Sequence, residues 1–326
     1  MCFHYITLLR RRKEQMISVV VIGKNEGSRL DTCLTQAKQA LRALSHELIY
    51  VDSRSTDNSI AVAKSHGARC FLLEDERTTA GLGRFAGTQA ARGEYILFLD
   101  GDMQLQPGFV ERAMMKMAAE GYDGACGIRE DHYMKNGALV STNPNYFGCE
   151  HERIVPEFGG AIFLKADALN KCGGWSPDTI ACEEAELHAR LNAGGCRIVE
   201  LPIPMIVHCD AVRDDRSILR VFFARRRLGE GQATRCAMAS GSAKAYLLHE
   251  KEKFVCYALD WLCVLLLVVF GGYGFAASCF VQAMQLGFFI ARRRPRTFVS
   301  IKLFFFAFPA GMLTYKKRSR AYTEIQ

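Results

Sequence analysis

Residues 17–100 alternate between two hydrophobic patterns. Residues 17–22, 48–51 and 95–99 are short continuous apolar runs, the pattern of strands buried on both faces of a parallel sheet. Residues 68–73 form a weaker run of the same kind. Helical periods at 29–44, 57–66 and 84–92 lie between them, with Ser55 and Asp57 placed to cap the second. This repetition predicts an α/β doubly wound, mostly parallel sheet with right-handed crossovers. After Asp102 the rhythm changes. Pro107 suits the first turn of a helix running to about Glu120. Strands are predicted at 124–128, 161–164 and 197–200, and a helix at 182–193 stops at Gly194-Gly195. Residues 129–158 are polar and aromatic without a period and read as long loops.

Residues 254–291 follow another pattern. From 261 to 291 there is no Asp, Glu, Lys, Arg or His, whereas one helix crosses a bilayer with about 20 residues. Gly271-Gly272-Tyr273-Gly274 divides the stretch, so one long tilted helix or a hairpin of 254–270 and 275–291 fits. Lys251, Lys253 and the arginines of 292–296 flank both ends, which favours a hairpin with both ends cytoplasmic, although Asp260 falls inside its first arm. Residues 298–315 contain Lys302 and Pro309 and are expected to lie in the interface, with Lys316-Lys317-Arg318 on anionic headgroups. The competing reading is a buried helix pair of a soluble protein. The expected division is an N-terminal extension (1–16, with Met1 or Met16 as the start), an α/β domain (17–235) facing the cytoplasm, and a membrane-associated helical region (236–326).

Composition sharpens this picture. The 326 residues are 49% hydrophobic and 23% charged, which excludes a disordered or collagen-like chain. The net charge of +8 is uneven: residues 292–320 carry nine Lys or Arg and no acid, while the first 291 residues are balanced. A neutral body with a basic tail argues against nucleic-acid binding, where the basic stripe belongs to the folded face. Thirteen cysteines, an odd number without a C-x-x-C, fit reduced core thiols rather than a disulfide framework.

Ligands of open α/β sheets bind at the carboxyl ends of the strands. Here those ends read Gly23-Lys24-Asn25-Glu26, Asp52-Ser53-Arg54-Ser55-Thr56-Asp57 and Asp100-Gly101-Asp102. No G-x-G-x-x-G follows the first strand and no Walker lysine loop occurs, which disfavours a dinucleotide dehydrogenase and a P-loop NTPase. The paired carboxylates of Asp100 and Asp102 need a cation between them, and oxygen ligands suit Mg²⁺ or Mn²⁺.

In order along the chain, these blocks resemble glycosyltransferase family 2, the inverting GT-A enzymes. The match runs from Val21-Ile22-Gly23-Lys24-Asn25-Glu26 through Val51-Asp52-Ser53-Arg54-Ser55-Thr56-Asp57 and Gly81-Leu82-Gly83-Arg84-Phe85-Ala86-Gly87 to Ala91-Arg92-Gly93-Glu94-Tyr95-Ile96-Leu97-Phe98-Leu99-Asp100-Gly101-Asp102. The resemblance implies that Asp52 accepts a hydrogen bond from the nucleotide base and that Glu26 lies near base or ribose. It places Arg84 by the phosphates, Asp100 by the ribose or the metal's water shell, and Asp102 on the metal. Phe85 stands where the family has Asn.

Inverting transfer needs a carboxylate to take the acceptor's proton. Cys182-Glu183-Glu184-Ala185-Glu186-Leu187-His188-Ala189-Arg190-Leu191 resembles the family's base segment, with Glu184 at the base position in place of Asp. Gly160 and Trp175 resemble acceptor-side residues, Trp175 either stacking on an acceptor ring or packing in the core. His208 matches a third metal position. The arginines between Arg213 and Arg235 would close over the diphosphate or lie on acidic lipid. The expected activity is membrane-attached transfer of a sugar from a UDP- or GDP-linked donor to the hydroxyl of a lipid-linked or glycan acceptor. The absence of Q-x-x-R-W suggests single additions. A non-catalytic nucleotide-sugar-binding scaffold and a nucleotidyltransferase are the alternatives.

Overall fold

The computed structural model describes residues 15–212, 224–317 and 320–325. The first half follows the apolar runs. Strands β1 (Ile17–Gly23), β2 (His46–Asp52), β3 (Arg69–Leu73) and β4 (Tyr95–Asp100) are parallel, in the spatial order β3-β2-β1-β4. Val19, Val20, Val21, Leu97, Phe98 and Leu99 are wholly buried, because helices cover both faces. Those crossovers contain α1 (Gly27–Ala40), α2 (Ser59–Ser65) and α3 (Ala80–Ala90). Thr79 caps α3 by accepting the Leu82 N–H at 3.1 Å, so this helix begins four residues before the expected 84. A Cβ on Gly83 would lie 3.2 Å from Ile22, and one on Gly87 would press into Val20. The two glycines, one turn apart, let α3 settle against β1.

The second half adds β5 (Met103–Leu105), α4 (Phe109–Glu120), β6 (Gly124–Lys135), β7 (Ala138–Asn143), β8 (Arg153–Ile154), β9 (Ile162–Lys165), α5 (Ala166–Lys171), α6 (Glu183–Ala193) and β10 (Ile198–Ala211). They continue the sheet as β4-β9-β6-β10-β5, with β4–β9 antiparallel and β6–β10 parallel. The expectation of loops over 129–158 is corrected here. β6 runs on to Lys135 and turns into β7; the β6 arm is polar and half-buried and β7 is exposed from Ala138 to Thr142, so no apolar alternation announced the hairpin.

The C-terminal third contains α7 (Gly229–Ala239), α8 (Ala243–His249), α9 (Lys251–Ala291), α10 (Pro295–Thr314) and β11 (Tyr322–Ile325). Helix α7 crosses the boundary expected at 235. Two of these helices, α9 and α10, are long and apolar enough to cross a membrane. The path of α9 reverses at Gly271 (φ 54°, ψ −121°). Its two arms then lie antiparallel: the Ser278 hydroxyl donates to the Cys263 carbonyl at 3.1 Å, and Arg292 Nη1 meets Glu252 Oε1 at 2.8 Å. Asp260 does not stand alone in this apolar setting. Lys302 Nζ on α10 lies 2.5 Å from Asp260 Oδ1 and 2.6 Å from Gln285 Oε1, and Gln282 donates to the same Asp260 oxygen at 2.8 Å. The two charges neutralise one another, which is how ionisable residues are tolerated among apolar helices.

Helix α10 leaves the hairpin and docks on α7 through glycines. A Cβ on Gly311 would lie 2.9 Å from the Cα of Gly231. Strand β11 then pairs antiparallel with β3 at the edge of the sheet. Gly231→Val is expected to lower stability by roughly 1–3 kcal/mol through overpacking, read as a lower thermal midpoint of the full chain in detergent. An unchanged midpoint would show that this contact does not hold α10.

Candidate functional site

A cleft of about 540 Å³ opens at the carboxyl ends of β1, β2 and β4. The strand order switches direction there, with β2 on one side of β1 and β4 on the other. The β1 and β2 end loops are stitched together. The Asn25 N–H donates to Ser55 Oγ at 2.8 Å and the Thr56 N–H to Asn25 Oδ1 at 2.7 Å. Asn25 (φ 57°) and Arg54 (φ 65°) hold the left-handed conformations that these turns need.

Arg84 is the centre of the site's charge. Its side chain is 2% exposed. Nη2 donates to Asp100 Oδ1 at 2.8 Å, and Nη1 lies 3.2 Å from both Glu183 Oε1 and Glu184 Oε1. The Trp175 ring covers the guanidinium, 4.9 Å from Cζ to centroid. Burial would lower the Arg84 pKa, but the three carboxylates override it and hold the guanidinium charged. Arg84 therefore binds the end of β4 to the first turn of α6 from inside the fold.

Glu183 and Glu184 begin α6, directly after Cys182 in a left-handed conformation (φ 64°). Glu183 is nearly buried and lines the cleft; the Glu184 side chain keeps 27% exposure. Burial and the repulsion of Glu183 push the Glu184 carboxyl up to about 7, against the pull of Arg84. A base in that range can both hold and release a proton at neutral pH. Glu186 and Arg190, one turn apart on α6, form an ion pair, with Arg190 Nη2 at 2.6 Å from Glu186 Oε2.

Across the cleft, Asp102 faces His208. Their closest atoms, Oδ2 and Nε2, are 3.5 Å apart. Residue 208 sits on β10, opposite Asp131 of β6 in register. Its Nδ1 lies 3.1 Å from Asp131 Oδ1 and 2.9 Å from Arg129 Nη2, which engages that nitrogen and leaves Nε2 toward Asp102. Burial would push the His208 pKa down, but the hydrogen bond and charge of Asp102 raise it. Against the upward push of burial, His208 and Arg29 hold Asp102 below the usual carboxylate value. Asp102 Oδ1 is buried with no hydrogen-bond partner. Glu26, 2.6 Å from Arg29, is pushed up to about 7 by burial and by Asp102.

Glu26, Asp100, Asp102 and His208 line the cleft together, joined by Glu183, Arg77 and Arg226. Glu184 reaches them through Arg84. Three of the expected residues lie back from the cleft surface. Asp52 has no exposed surface: its carboxylate accepts the Tyr50 hydroxyl at 3.0 Å and the Ser55 N–H at 2.7 Å, and Ser53 is the residue of that turn facing the cleft. Of the two readings of Trp175, the structure has the packed one: the ring is wholly buried, edge-on to Phe98 with 5.4 Å between centroids. Gly160 serves the ion pair rather than a sugar: a Cβ there would press into Arg84 Nη2 and lie 2.5 Å from Asp100 Oδ2. Of the expected arginine stretch, residues 213–223 lie outside the described residues. The roles of Glu183 and Arg129 gave no signal beyond their charge.

Arg84→Met would leave Asp100, Glu183 and Glu184 without their cation, at a cost of about 3–5 kcal/mol. A carboxyl raised from 4.5 to about 7 contributes stability that is full below 4.5 and is lost as pH rises through 7. Removing Arg84 deepens that loss. The drop in thermal midpoint is therefore expected to be larger at pH 8 than at pH 5, and equal drops would contradict the central role of Arg84.

Residues 18–176 match the model of Glycosyl transferase family 2. The chain is 21% identical to Glycosyltransferase AglE of Haloferax volcanii over 225 residues, covering 66% of this chain and 72% of that protein. It is 28% identical over 123 residues to the undecaprenyl-phosphate 4-deoxy-4-formamido-L-arabinose transferase of Pseudomonas paraeruginosa, covering 36% of each. Among solved structures, the mannosyltransferase PcManGT from Pyrobaculum calidifontis, in complex with GDP-Man and Mn²⁺, aligns with a TM-score of 0.59 at 14% identity, covering 96% of this chain and 94% of that one. S. aureus TarS in complex with UDP-GlcNAc aligns with a TM-score of 0.52 at 14% identity, covering 93% of each. At such identities the structural likeness establishes the fold, a GT-A-like mixed sheet followed by long apolar helices. With the matched region holding the β1, β2 and β4 ends of the cleft, the chain carries a glycosyltransferase family 2 domain over residues 18–176.

Proposed function

We propose that this protein is a membrane-attached inverting glycosyltransferase. It moves a sugar from a UDP- or GDP-linked donor to a hydroxyl of a lipid-linked or glycan acceptor, at the cytoplasmic face and one residue at a time. The observation that carries this reading is the cleft itself. A carboxyl raised to about 7 on Glu184 is locked by Arg84 to Asp100, and Asp102 and His208 line the same cleft as Asp100. A scaffold that only bound nucleotide sugars has no use for the first, and the family match speaks against a nucleotidyltransferase.

In this reading Glu184 takes the proton from the acceptor hydroxyl as the oxygen attacks the anomeric carbon and the bond to the nucleoside diphosphate breaks. Arg84 keeps Glu184 oriented and partly ionised. The orphaned Asp102 Oδ1 and the His208 Nε2 that faces Asp102 fit a divalent cation, Mn²⁺ or Mg²⁺, with Asp131 and Arg129 fixing the imidazole from behind. Among the described residues no three His, Cys, Asp or Glu side chains converge on one point, so diphosphate oxygens and water would complete the coordination. When bound, such an ion would carry the charge of the departing diphosphate. The solved relative with GDP-Man and Mn²⁺ supports this assignment. The two apolar helices support membrane attachment, and the relative acting on undecaprenyl-phosphate supports a lipid-linked acceptor.

Glu184→Gln is expected to reduce transfer at least 100-fold while Mn²⁺-dependent binding of UDP or GDP, followed by calorimetry, persists. Asp102→Ala is expected to lose that binding. Persistent transfer in Glu184→Gln would remove it as the base; no nucleotide binding by the folded wild type would remove the transferase reading.

The kcat/KM for acceptor should rise with pH to a plateau above about 7, since protonated Glu184 cannot accept a proton. Glu26, also near 7, is distinguished by Glu26→Gln, which should keep this limb. A limb that disappears with Glu26→Gln would transfer the pH dependence to the donor side.

A further inference from the structure

A second cavity of about 600 Å³ adjoins the cleft, and Arg77 and Ile180 form a wall common to both. Four cations, Arg77, Arg227, Lys316 and Lys317, line it against two carboxylates, Asp75 and Asp178. Two of the cations come from the segment directly after α10. That segment does not trail away. Arg320 places its guanidinium 5.2 Å from the centroid of the Phe85 ring and 4.0 Å from Asp178 Oδ2. Two residues later β11 begins and is fixed to β3, with Glu324 Oε1 3.0 Å from Arg69 Nε. Lys316 and Lys317 are thereby held over the mouth of a cavity.

We propose that this second cavity is the acceptor site and that it recognises a phosphate group on the acceptor; the proposal rests on the transferase reading above. The net positive lining suits a doubly charged phosphate ester, which a guanidinium contacts at two points and the lysines meet as point charges. The cavity is large enough for a phosphate with an attached sugar or chain. Its common wall with the donor cleft lets a hydroxyl of the same molecule approach Glu183, which lines that cleft, and its neighbour Glu184. The end of α10 brings the cavity to the apolar helices, so a phosphate on a lipid chain can enter with its chain beside them.

The test uses the full chain in detergent with UDP or GDP and Mn²⁺ saturating the donor cleft. Geranyl phosphate, glycerol phosphate and geraniol are titrated by calorimetry. Binding of either phosphate but not of geraniol supports the proposal. Geranyl phosphate binding tighter than glycerol phosphate assigns a lipid source; equal binding assigns a soluble phosphorylated glycan. Lys316→Gln/Lys317→Gln is expected to weaken phosphate binding at least tenfold, and Arg227→Gln to weaken it by a similar factor in an otherwise unaltered tail. Unchanged affinity in both variants overturns the proposal, as does geraniol binding as tightly as its phosphate or neither phosphate binding. Failure of the wild type to bind either nucleotide would instead strike the transferase reading.

Discussion

One buried positive charge organises this molecule. A guanidinium shut away from water must be surrounded by acceptors, and Arg84 meets that demand with carboxylates from β4 and α6. Much of the surrounding sequence answers the same constraint. Gly83 and Gly87 bring α3 close enough to β1 for Arg84 to reach inward, Gly160 leaves room for its pair with Asp100, and Trp175 closes the remaining face. The carboxylates repel one another as well as attract Arg84. Burial, joined by that repulsion, raises Glu184 into the neutral range, so the device that stabilises the centre also tunes it.

The parallel half of the sheet was legible because strands buried on both faces are mostly apolar, and the runs in β1, β2 and β4 are broken only by Ser18, whose hydroxyl donates to Glu47. The β6–β7 hairpin was not, since a polar, half-buried arm and an exposed one carry no apolar period. Strands β5 and β11, three and four residues long, are too short to show one. In the site, the strand-end carboxylates could be found from position alone. Which of them face the cleft could not: Asp52 and Ser53 are adjacent, and only the turn geometry turns one inward to Tyr50 and the other outward. Arg84 looked like a residue for phosphate because burial of an arginine is decided by partners 16 and 100 positions away.

The helical region and the sheet domain are joined by more than the chain. Tyr257, in the first arm of α9, donates to Glu230 of α7 at 2.7 Å, and Lys253 lies 3.7 Å from the same residue. Ala189 of α6, the helix that carries Glu184, packs in one cluster with Ala233 and Ala237 of α7 and Tyr246 of α8. The helix bearing the candidate base and the apolar hairpin thus rest on the same two short helices. At the far side, the Asp260–Lys302 pair fixes α10 to the hairpin. A paired charge in so apolar a setting contributes specificity of packing: any other register of α10 would strand one of the two ions.

The pairing of β11 with β3 reverses the order in which this protein can be completed. Until residues 322–325 have been made, β3 presents an open edge with its backbone groups unpaired. Both arms of α9 and all of α10 leave the ribosome before that edge can be closed. The apolar hairpin must find its environment while the catalytic sheet is still unfinished, and the growing chain carries two sticky surfaces at once. A translation pause or truncation between α10 and β11 would therefore yield a chain with its helices in place and an aggregation-prone edge, which is a hazard of synthesis rather than of the finished fold.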